Sequence, residues 1–125
     1  MLQENLEIVA AAARGGLDFW AADAELINFE SAPYTNPYRG HQGLGHWYRD
    51  ATEDVADPEF TVGDLAAVDE ERVVSSVRLT GRAKGSGVPV NLVFAIVWTV
   101  RGRKVIRAQG YRDRAEAFEA VGLPE

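Results

Sequence analysis

The fold is indicated most clearly by residues 88–100, which read VPVNLVFAIVWTV. Large apolar residues occupy every even-numbered position from 90 onward, whereas the odd positions include small or polar residues such as Asn91 and Thr99. Because consecutive side chains of a strand point to opposite faces, this alternation predicts one long strand with its even face turned toward a core. The residues expected on that inner face are Val90, Leu92, Phe94, Ile96, Trp98 and Val100.

Three neighbouring segments have the same strand-like composition. Residues 60–68, 72–84 and 104–112 are rich in Val, Ile, Thr and aromatic residues, which favour extended structure. The connections at 85–87 and 101–103 are the size of hairpin turns and are too short for the crossover that parallel strands need. The second half of the chain therefore predicts an antiparallel meander.

The first half of the chain shows helical spacing of its apolar residues. One helix is predicted from Leu2 to the glycine pair at 15–16, and a short second helix over 17–22. A strand is predicted over 24–30, and the two prolines within 31–40 predict a loop there.

A third helix is predicted after Gly40, and we expect it to end at the Asp-Pro pair at 57–58. Its apolar face would comprise Leu44, Trp47, Tyr48, Ala51 and Val55. Residues 113–121 predict a last, short helix, in which Asp113 and Glu116 have the spacing of a capping box. Helices thus precede strands, which is the α+β pattern, and we expect a cone-shaped domain with the helices packed on a strongly curved antiparallel sheet.

The composition agrees with one globular domain over residues 1–125. Apolar residues make up 46% of the chain and charged residues 26%, which are ordinary values for a folded protein. The net charge of −6, without any basic cluster, argues against nucleic acid as a partner. No apolar stretch is long enough to span a bilayer, so we expect no membrane association and a cytoplasmic location. The chain has no cysteine, which excludes disulfides and thiolate catalysis.

The last predicted strand is expected to leave room under the helices. Ile106, Ala108 and Gly110 would share the inner face, while Arg107 and Gln109 would point outward. Small residues on the inner face would leave a hollow there, and we interpret it as a pocket for a small hydrophobic or aromatic molecule.

Three motifs of the chain follow one another in a familiar order. They are AARGGLD at 12–18 with ADA at 22–24, YRGHQGL at 38–44, and VWTVRGRKV at 97–105 with YRD at 111–113 and VGL at 121–123. In this order they resemble the nuclear transport factor 2-like superfamily, specifically its branch of SnoaL-like polyketide cyclases. The resemblance implies the cone-shaped fold, and it leaves the chemistry open because this superfold hosts isomerases, hydrolases, cyclases and pure binding modules.

The resemblance to the cyclases places at Asp113 the carboxylate that moves protons during ring closure. Such a group needs partial burial and a position within hydrogen-bond reach of the substrate. The local sequence also fits an ordinary N-cap of the last helix, flanked by Arg112 and Arg114. Both interpretations of Asp113 remain open at this point.

Two better-known enzyme types of the superfamily are not matched. The positions that carry the chemistry of its steroid isomerases fall near Ile8, Asn28 and Ile96 in this sequence. The last aspartate of its epoxide hydrolases falls near Gly110. None of these residues keeps the required acid or base, so we expect neither activity.

His41 is the second catalytic candidate, as a general base at the mouth of the pocket. It stands at the start of the third helix, where the alternative is a solvated side chain without a chemical role. His41 and His46 are the only histidines, and their spacing relative to carboxylates fits no metal site. We therefore expect neither a metal nor a cofactor.

Aromatic residues could line the pocket or simply fill the core. Both interpretations remain open. If the aromatic residues line the pocket, we expect a flat polycyclic or otherwise hydrophobic ligand. The residues predicted to bind the ligand are Asn28, Tyr34, Tyr38, Trp47, Phe94, Ile96, Trp98, Ala108 and Gly110.

The odd face of the long strand also needs a cover, because Val93 and Val97 lie on it. Proteins of the resembled family commonly pair sheet to sheet, which implies a two-fold homodimer.

Two functions remain open. One is a cofactor-free cyclase or isomerase with Asp113 as acid and base and with Asn28, Tyr38 and His41 orienting the ligand. The other is a non-catalytic ligand-binding or scaffolding domain that uses the same pocket.

Overall fold

A six-stranded sheet forms the frame of the protein, in a computed structural model that describes residues 2–28 and 37–122. The strands are β1 (Trp20–Ile27), β2 (Tyr38–Arg39), β3 (Val55–Ala67), β4 (Arg72–Ala83), β5 (Pro89–Arg101) and β6 (Lys104–Tyr111). The helices are α1 (Leu2–Ala13), α2 (Gly40–Thr52) and α3 (Arg114–Ala120), with a single 3₁₀ turn at Leu17–Phe19. Within the described ranges, no helix combines the length and the apolar character that crossing a membrane requires.

The spatial order of the strands is β2-β1-β6-β5-β4-β3. The predicted meander is confirmed, because β3, β4, β5 and β6 pair in antiparallel fashion, each with the next. A tight turn joins β5 to β6, and both of its residues, Gly102 and Arg103, have positive φ. In contrast, β1 pairs with β6 in parallel, with Leu26 opposite Ala108. This parallel pair places the first strand beside the last, which the spacing of the sequence did not predict.

The main core lies on the inner face of the sheet, under α1 and α2. Ile8 and Val9 of α1 and Leu44 of α2 are buried there. They pack with the inward side chains of β4 and β5, among them Val77 and Ile96. The even face of β5 is thus the inner face from Phe94 to Val100, as the alternation predicted.

The opposite face of the sheet carries a second, smaller core under α3. Ala117 of α3 is fully buried against Val74, Ala95 and Val97. The last helix therefore covers part of the odd face of β5 within the same chain. The sequence predicts a second copy as the cover of this face, whereas the structure places α3 of the same chain over Ala95 and Val97.

Two tryptophans join α1 to the inner face of the sheet. The rings of Trp20 and Trp98 lie 5.6 Å apart, inclined by 56°. Trp98 Nε1 donates to Ser75 Oγ at 2.8 Å, and Trp20 Nε1 donates to the carbonyl oxygen of Ala12 at 3.0 Å. Because both indole N–H groups find partners inside the protein, both side chains are buried without an unpaired donor.

Trp20 also explains why the predicted second helix is wrong. Only Leu17–Phe19 is helical, as a single 3₁₀ turn, and Trp20–Ile27 is already strand β1. Trp20 pairs with Val105 of β6, and its ring enters the core. Tertiary packing has here overridden a local pattern that also suits a helix.

The third helix is shorter than predicted. It ends at Thr52, and Val55 begins β3, opposite Ala83 of β4. The backbone N–H of Lys84 donates to the carbonyl oxygen of Asp54 at 2.9 Å, which continues the ladder to the start of the strand. The β-branched Val55 thus gains a strand partner that a continued helix would not provide.

Two further residues depart from the predicted faces. Leu92 is 44% exposed, because β6 ends at Tyr111 opposite Ala95 and does not extend beside residue 92. Ile106 is only half-buried, because the register between β5 and β6 shifts after Thr99 and the fully buried Val105 takes the inner position. A shift of this kind depends on the partner strand and cannot be read from alternation within one strand.

The contact between Trp98 and Ser75 can be tested by replacing Ser75 with alanine. We expect the Ser75→Ala protein to lose about 1–3 kcal/mol of unfolding free energy, because the buried indole donor loses its acceptor. Urea unfolding followed by fluorescence measures the change. The matched control is Ser76→Ala, the next residue of β4 and half-buried on the other face, which we expect to change stability by less than about 0.5 kcal/mol. Equal effects of both substitutions would contradict this role of Ser75.

Candidate functional site

One cavity lies between the end of α1, the middle of α2 and the inner face of the sheet. Its volume is about 510 Å³, which is within the usual range for small-molecule sites. Most of the buried part of its lining comes from the strands, including Leu26, Val77 and Ile96. Its exposed part comes from Arg14, at the end of α1, and from α2. The remaining lining residues are Ala12, Ala13, Gly15, Leu17, Trp20, Leu44, Gly45, Trp47, Tyr48, Phe60, Val62 and Trp98.

Aromatic side chains form two groups in the wall of this cavity. Trp20 and Trp98 make up the first. In the second, Phe60 of β3 lies between two residues of α2, with ring centroids 5.4 Å from Trp47 and 5.8 Å from Tyr48. Two aromatic groups on the wall of one cavity are suited to a flat, apolar ligand.

The polar groups of the large aromatic residues are largely used within the protein. The N–H groups of Trp20 and Trp98 are bound as described above, and Trp47 Nε1 donates to Asn28 Oδ1 at 2.7 Å. Asn28 is thus hydrogen-bonded to a lining residue and is not itself part of the described lining. The indoles therefore offer the cavity their apolar surfaces rather than their donors.

Arg14 is the one charged residue in the described lining, which includes no Asp, Glu or His. Tyr48 adds a phenol, and the side chain of Tyr48 is 48% exposed. Among residues 2–28 and 37–122, no group of three or more His, Cys, Asp or Glu side chains could hold a metal ion. The described part of the cavity thus offers one cation and one hydroxyl on an otherwise apolar surface.

Some of the predicted ligand-binding residues lie in this lining. The structure places Trp47, Ile96 and Trp98 there. Tyr38, half-buried, packs at the margin of the core, and its hydroxyl donates to Asp50 Oδ2 at 2.7 Å. Tyr34 lies outside the described residues. Which of these side chains contacts a ligand stays a prediction.

The cavity does not lie where the sequence placed the hollow. Phe94, Ala108 and Gly110 are buried but do not line it. It lies instead toward β3 and β4, where Phe60 and Val62 contribute. The alternation within 60–68 indicates that Phe60 and Val62 face inward. Whether the cavity lies near β3 or near β6, however, depends on how α1 and α2 pack on the sheet.

Asp113 is a helix cap in this structure. Its side chain accepts a hydrogen bond from the backbone N–H of Glu116 at 2.8 Å, which is the N-cap geometry that the spacing predicted. Asp113 is exposed, and α3 lies on the face of the sheet opposite the cavity. Of the two interpretations of Asp113, the structure shows the cap.

His41 lies in the first turn of α2 and is exposed. Its Nε2 is 3.0 Å from the carbonyl oxygen of Trp20, and because a carbonyl only accepts, the ring nitrogen donates in this contact. His41 thus ties the start of α2 to β1, and it is not among the residues that line the cavity. This arrangement gives no support to His41 as a general base in that cavity.

Two glycines of the Y-x-G-x-x-G stretch have clear structural reasons. Gly40 has a φ of +71°, and a Cβ there would lie 3.2 Å from the carbonyl oxygen of Ala22. At Gly43, which is buried, a Cβ would lie 3.1 Å from the backbone of Tyr38. The motif therefore sets the entry into α2, which in turn carries Leu44 and Trp47 to the cavity.

Comparisons with solved structures show the same fold. The chain is similar to a SnoaL-like polyketide cyclase structure from Jannaschia sp. CCS1, with a TM-score of 0.71, 19% identity, and coverage of 98% of this chain and 94% of that chain. It is similar to a nuclear transport factor 2-like protein from Burkholderia xenovorans LB400, with a TM-score of 0.68, 28% identity, and coverage of 96% and 97%. A third similar structure is TerC co-crystallised with polyporic acid, with a TM-score of 0.71, 18% identity, and coverage of 95% and 98%.

No curated protein matches the sequence. The family model of the SnoaL-like domain, however, matches residues 7–108, which is most of the chain. The match begins within α1 and spans all of α2 and the whole sheet except the end of β6. The chain belongs to the SnoaL-like domain family and has the nuclear transport factor 2-like fold.

Proposed function

We propose that this protein binds a flat, largely apolar small molecule in the cavity between α1, α2 and the inner face of the sheet. One observation carries the proposal: two aromatic groups wall a cavity of about 510 Å³ whose other described lining residues are mostly aliphatic or glycine. Such a surface releases water at little cost and gains contact area with an apolar ring system. The ligand would be held mainly by burial of apolar surface.

One protein of the same fold has been crystallised with a small molecule. One of the similar structures, TerC, was co-crystallised with polyporic acid, a small molecule. That observation belongs to TerC, and at 18% identity it carries over the fold alone. The case for this chain rests on its own cavity lining.

The proposal is tested by filling the cavity. Val62 of β3 is half-buried and lines the cavity, so Val62→Trp would occupy part of its volume. We expect this variant to bind N-phenyl-1-naphthylamine, a neutral apolar fluorophore, about tenfold more weakly than the unaltered protein, because inserted bulk excludes the ligand. Fluorescence titration measures the affinity.

The matched control for this test is Thr61→Trp. Thr61 is the preceding residue of the same strand, and it is exposed on the other face of the sheet. We expect the Thr61→Trp protein to bind the fluorophore as the unaltered protein does. Equal binding by the Val62→Trp and Thr61→Trp proteins, both shown to be folded by circular dichroism, would contradict binding in this cavity.

A second candidate function is a cofactor-free cyclase or isomerase. The observation that favours it is the similarity to the polyketide cyclase structure from Jannaschia sp. CCS1. In this chain Asp113 would be the acid and base, and His41 would orient the substrate. Asp113, however, caps a helix on the face of the sheet opposite the cavity, and His41 is hydrogen-bonded to the carbonyl oxygen of Trp20 in β1. The geometry therefore supports ligand binding better than this chemistry.

The role of Asp113 is tested with two substitutions. Asparagine caps helices as well as aspartate, whereas alanine does not. We therefore expect Asp113→Ala to lower the unfolding free energy by about 1 kcal/mol and Asp113→Asn to leave it nearly unchanged. Both variants should bind N-phenyl-1-naphthylamine normally. If Asp113→Asn abolished binding without loss of stability, the carboxylate would belong to the ligand site, and the second candidate would be preferred.

We further propose that the protein forms a homodimer through the outer face of the sheet. Val93 on that face is 50% exposed, beside Arg78 of β4, which is bound to Asn91. Because α3 already covers Ala95 and Val97, the apolar area left for a partner is smaller than the sequence suggested. We expect a dimer by light scattering at micromolar concentration, and Val93→Glu should shift it toward monomer. A monomeric mass for the unaltered chain would contradict the dimer.

A further inference from the structure

The mouth of the cavity carries a single positive charge. Arg14 directly follows α1 and lines the cavity together with Gly15 and Leu17. Leu17 is 47% exposed and Arg14 is also exposed, whereas the strand residues at the floor are buried. A ligand in this site would therefore meet an apolar floor and a cation near solvent.

The guanidinium of Arg14 differs from most others in the described part of the chain. Six arginines form ion pairs with carboxylates, namely Arg39, Arg49, Arg72, Arg101, Arg103 and Arg112. Three more donate to neutral oxygens, namely Arg78, Arg82 and Arg114. Within residues 2–28 and 37–122, the guanidinium of Arg14 has neither kind of partner, and Arg107 is the other arginine of which this is true.

A basic residue at the carboxyl end of a helix has a simple structural explanation, which is its interaction with the helix dipole. At α1, however, two of the last carbonyl oxygens have other donors. The oxygen of Ala11 accepts from the backbone N–H groups of Arg14 and Gly16, and that of Ala12 accepts from Gly15 and from the Trp20 indole. These two oxygens therefore do not need the guanidinium as a donor.

We propose that the ligand carries an anionic group at one end of its apolar ring system, and that Arg14 binds this group at the mouth of the cavity. This inference rests on the proposed binding function and names the class of ligand. A planar guanidinium can donate two parallel hydrogen bonds to a carboxylate or sulfonate, and a single contact to an ionised enol. The described lining contains no carboxylate that would repel such a group.

The arrangement also orients the ligand. The rings would lie against Trp98 and Ile96 at the buried end, and the charge would remain near solvent at Arg14. An anion at the mouth keeps most of its hydration, so its burial cost is small. The net charge of −6 disfavours anions over the surface as a whole, which makes a local cation more important for recognition.

Two fluorophores with the same ring system separate charge from apolar contact. One is 8-anilinonaphthalene-1-sulfonate, and the other is N-phenyl-1-naphthylamine, which lacks the sulfonate. We expect Arg14→Gln to weaken binding of the sulfonate about fivefold, the size of a partly exposed ion pair, and to leave the neutral compound unaffected. Arg14→Lys should retain most of the affinity for the sulfonate, because the positive charge is kept.

The matched control is Arg107→Gln, which removes the same charge from an exposed position on β6 outside the cavity. We expect it to leave both affinities unchanged. Equal weakening of sulfonate binding by Arg14→Gln and Arg107→Gln would overturn the proposal, because it would show a general charge effect. Equal weakening of both fluorophores by Arg14→Gln would also overturn it.

The experiment distinguishes failure of this inference from failure of the proposed function. If the neutral fluorophore binds and Val62→Trp blocks it, while Arg14→Gln leaves sulfonate binding unchanged, the cavity binds ligands and only the anionic class is wrong. If neither fluorophore binds the unaltered protein, the proposed function and this inference both fail. Loss of sulfonate binding in Arg14→Gln alone, with Val62→Trp blocking both compounds, supports both.

Discussion

The structure depends on two buried indoles and on the acceptors that their N–H groups find. Trp98 on β5 bonds to Ser75 on β4, and Trp20 at the start of β1 bonds to the last turn of α1. Their rings contact each other, so one cluster joins the first helix to three strands. A buried indole N–H without an acceptor lowers the unfolding free energy by about 1–3 kcal/mol, a large part of the stability of a domain. Trp20 meets this requirement as the first residue of β1, where its N–H reaches the carbonyl oxygen of Ala12 in α1.

The same requirement shapes the chemistry of the cavity. Once the indoles have used their donors on internal oxygens, their surfaces toward the cavity are apolar. Phe60, Trp47 and the aliphatic residues of the strands extend that surface. The polar features of the described lining are then few and lie at the mouth, where Arg14 and Tyr48 are exposed. Under the proposed function, such a cavity would select ligands by shape and apolar area at its floor and by charge at its opening.

The cavity and Asp113 lie on opposite faces of the sheet, whereas the sequence was compatible with Asp113 in the pocket. The inner face carries the cavity, and the outer face carries α3 with its cap at Asp113. A carboxylate that lies near the end of the chain, flanked by two arginines, thus stabilises a helix rather than facing a ligand. The resemblance to the family implies that the catalytic positions of its better-known enzymes fall near Ile8, Asn28, Ile96 and Gly110 here. The family fold is retained, and the interior of this chain is specialised toward apolar contact.

Features with a local cause could be predicted from the amino-acid sequence. Alternation between 88 and 100 was enough for the inner face from Phe94 onward, short glycine turns for the meander, and the spacing of Asp113 and Glu116 for the cap, because each depends on residues a few positions apart. Three features could be known only from the tertiary structure. They are the parallel pairing of β1 with β6, the register shift that places Val105 rather than Ile106 on the inner face, and the face of the sheet that α3 covers. These depend on partners distant in sequence. The place of the cavity, toward β3 rather than β6, and the exposed, unpaired position of Arg14 within the described chain belong to the same class, because both follow from where α1 rests on the sheet.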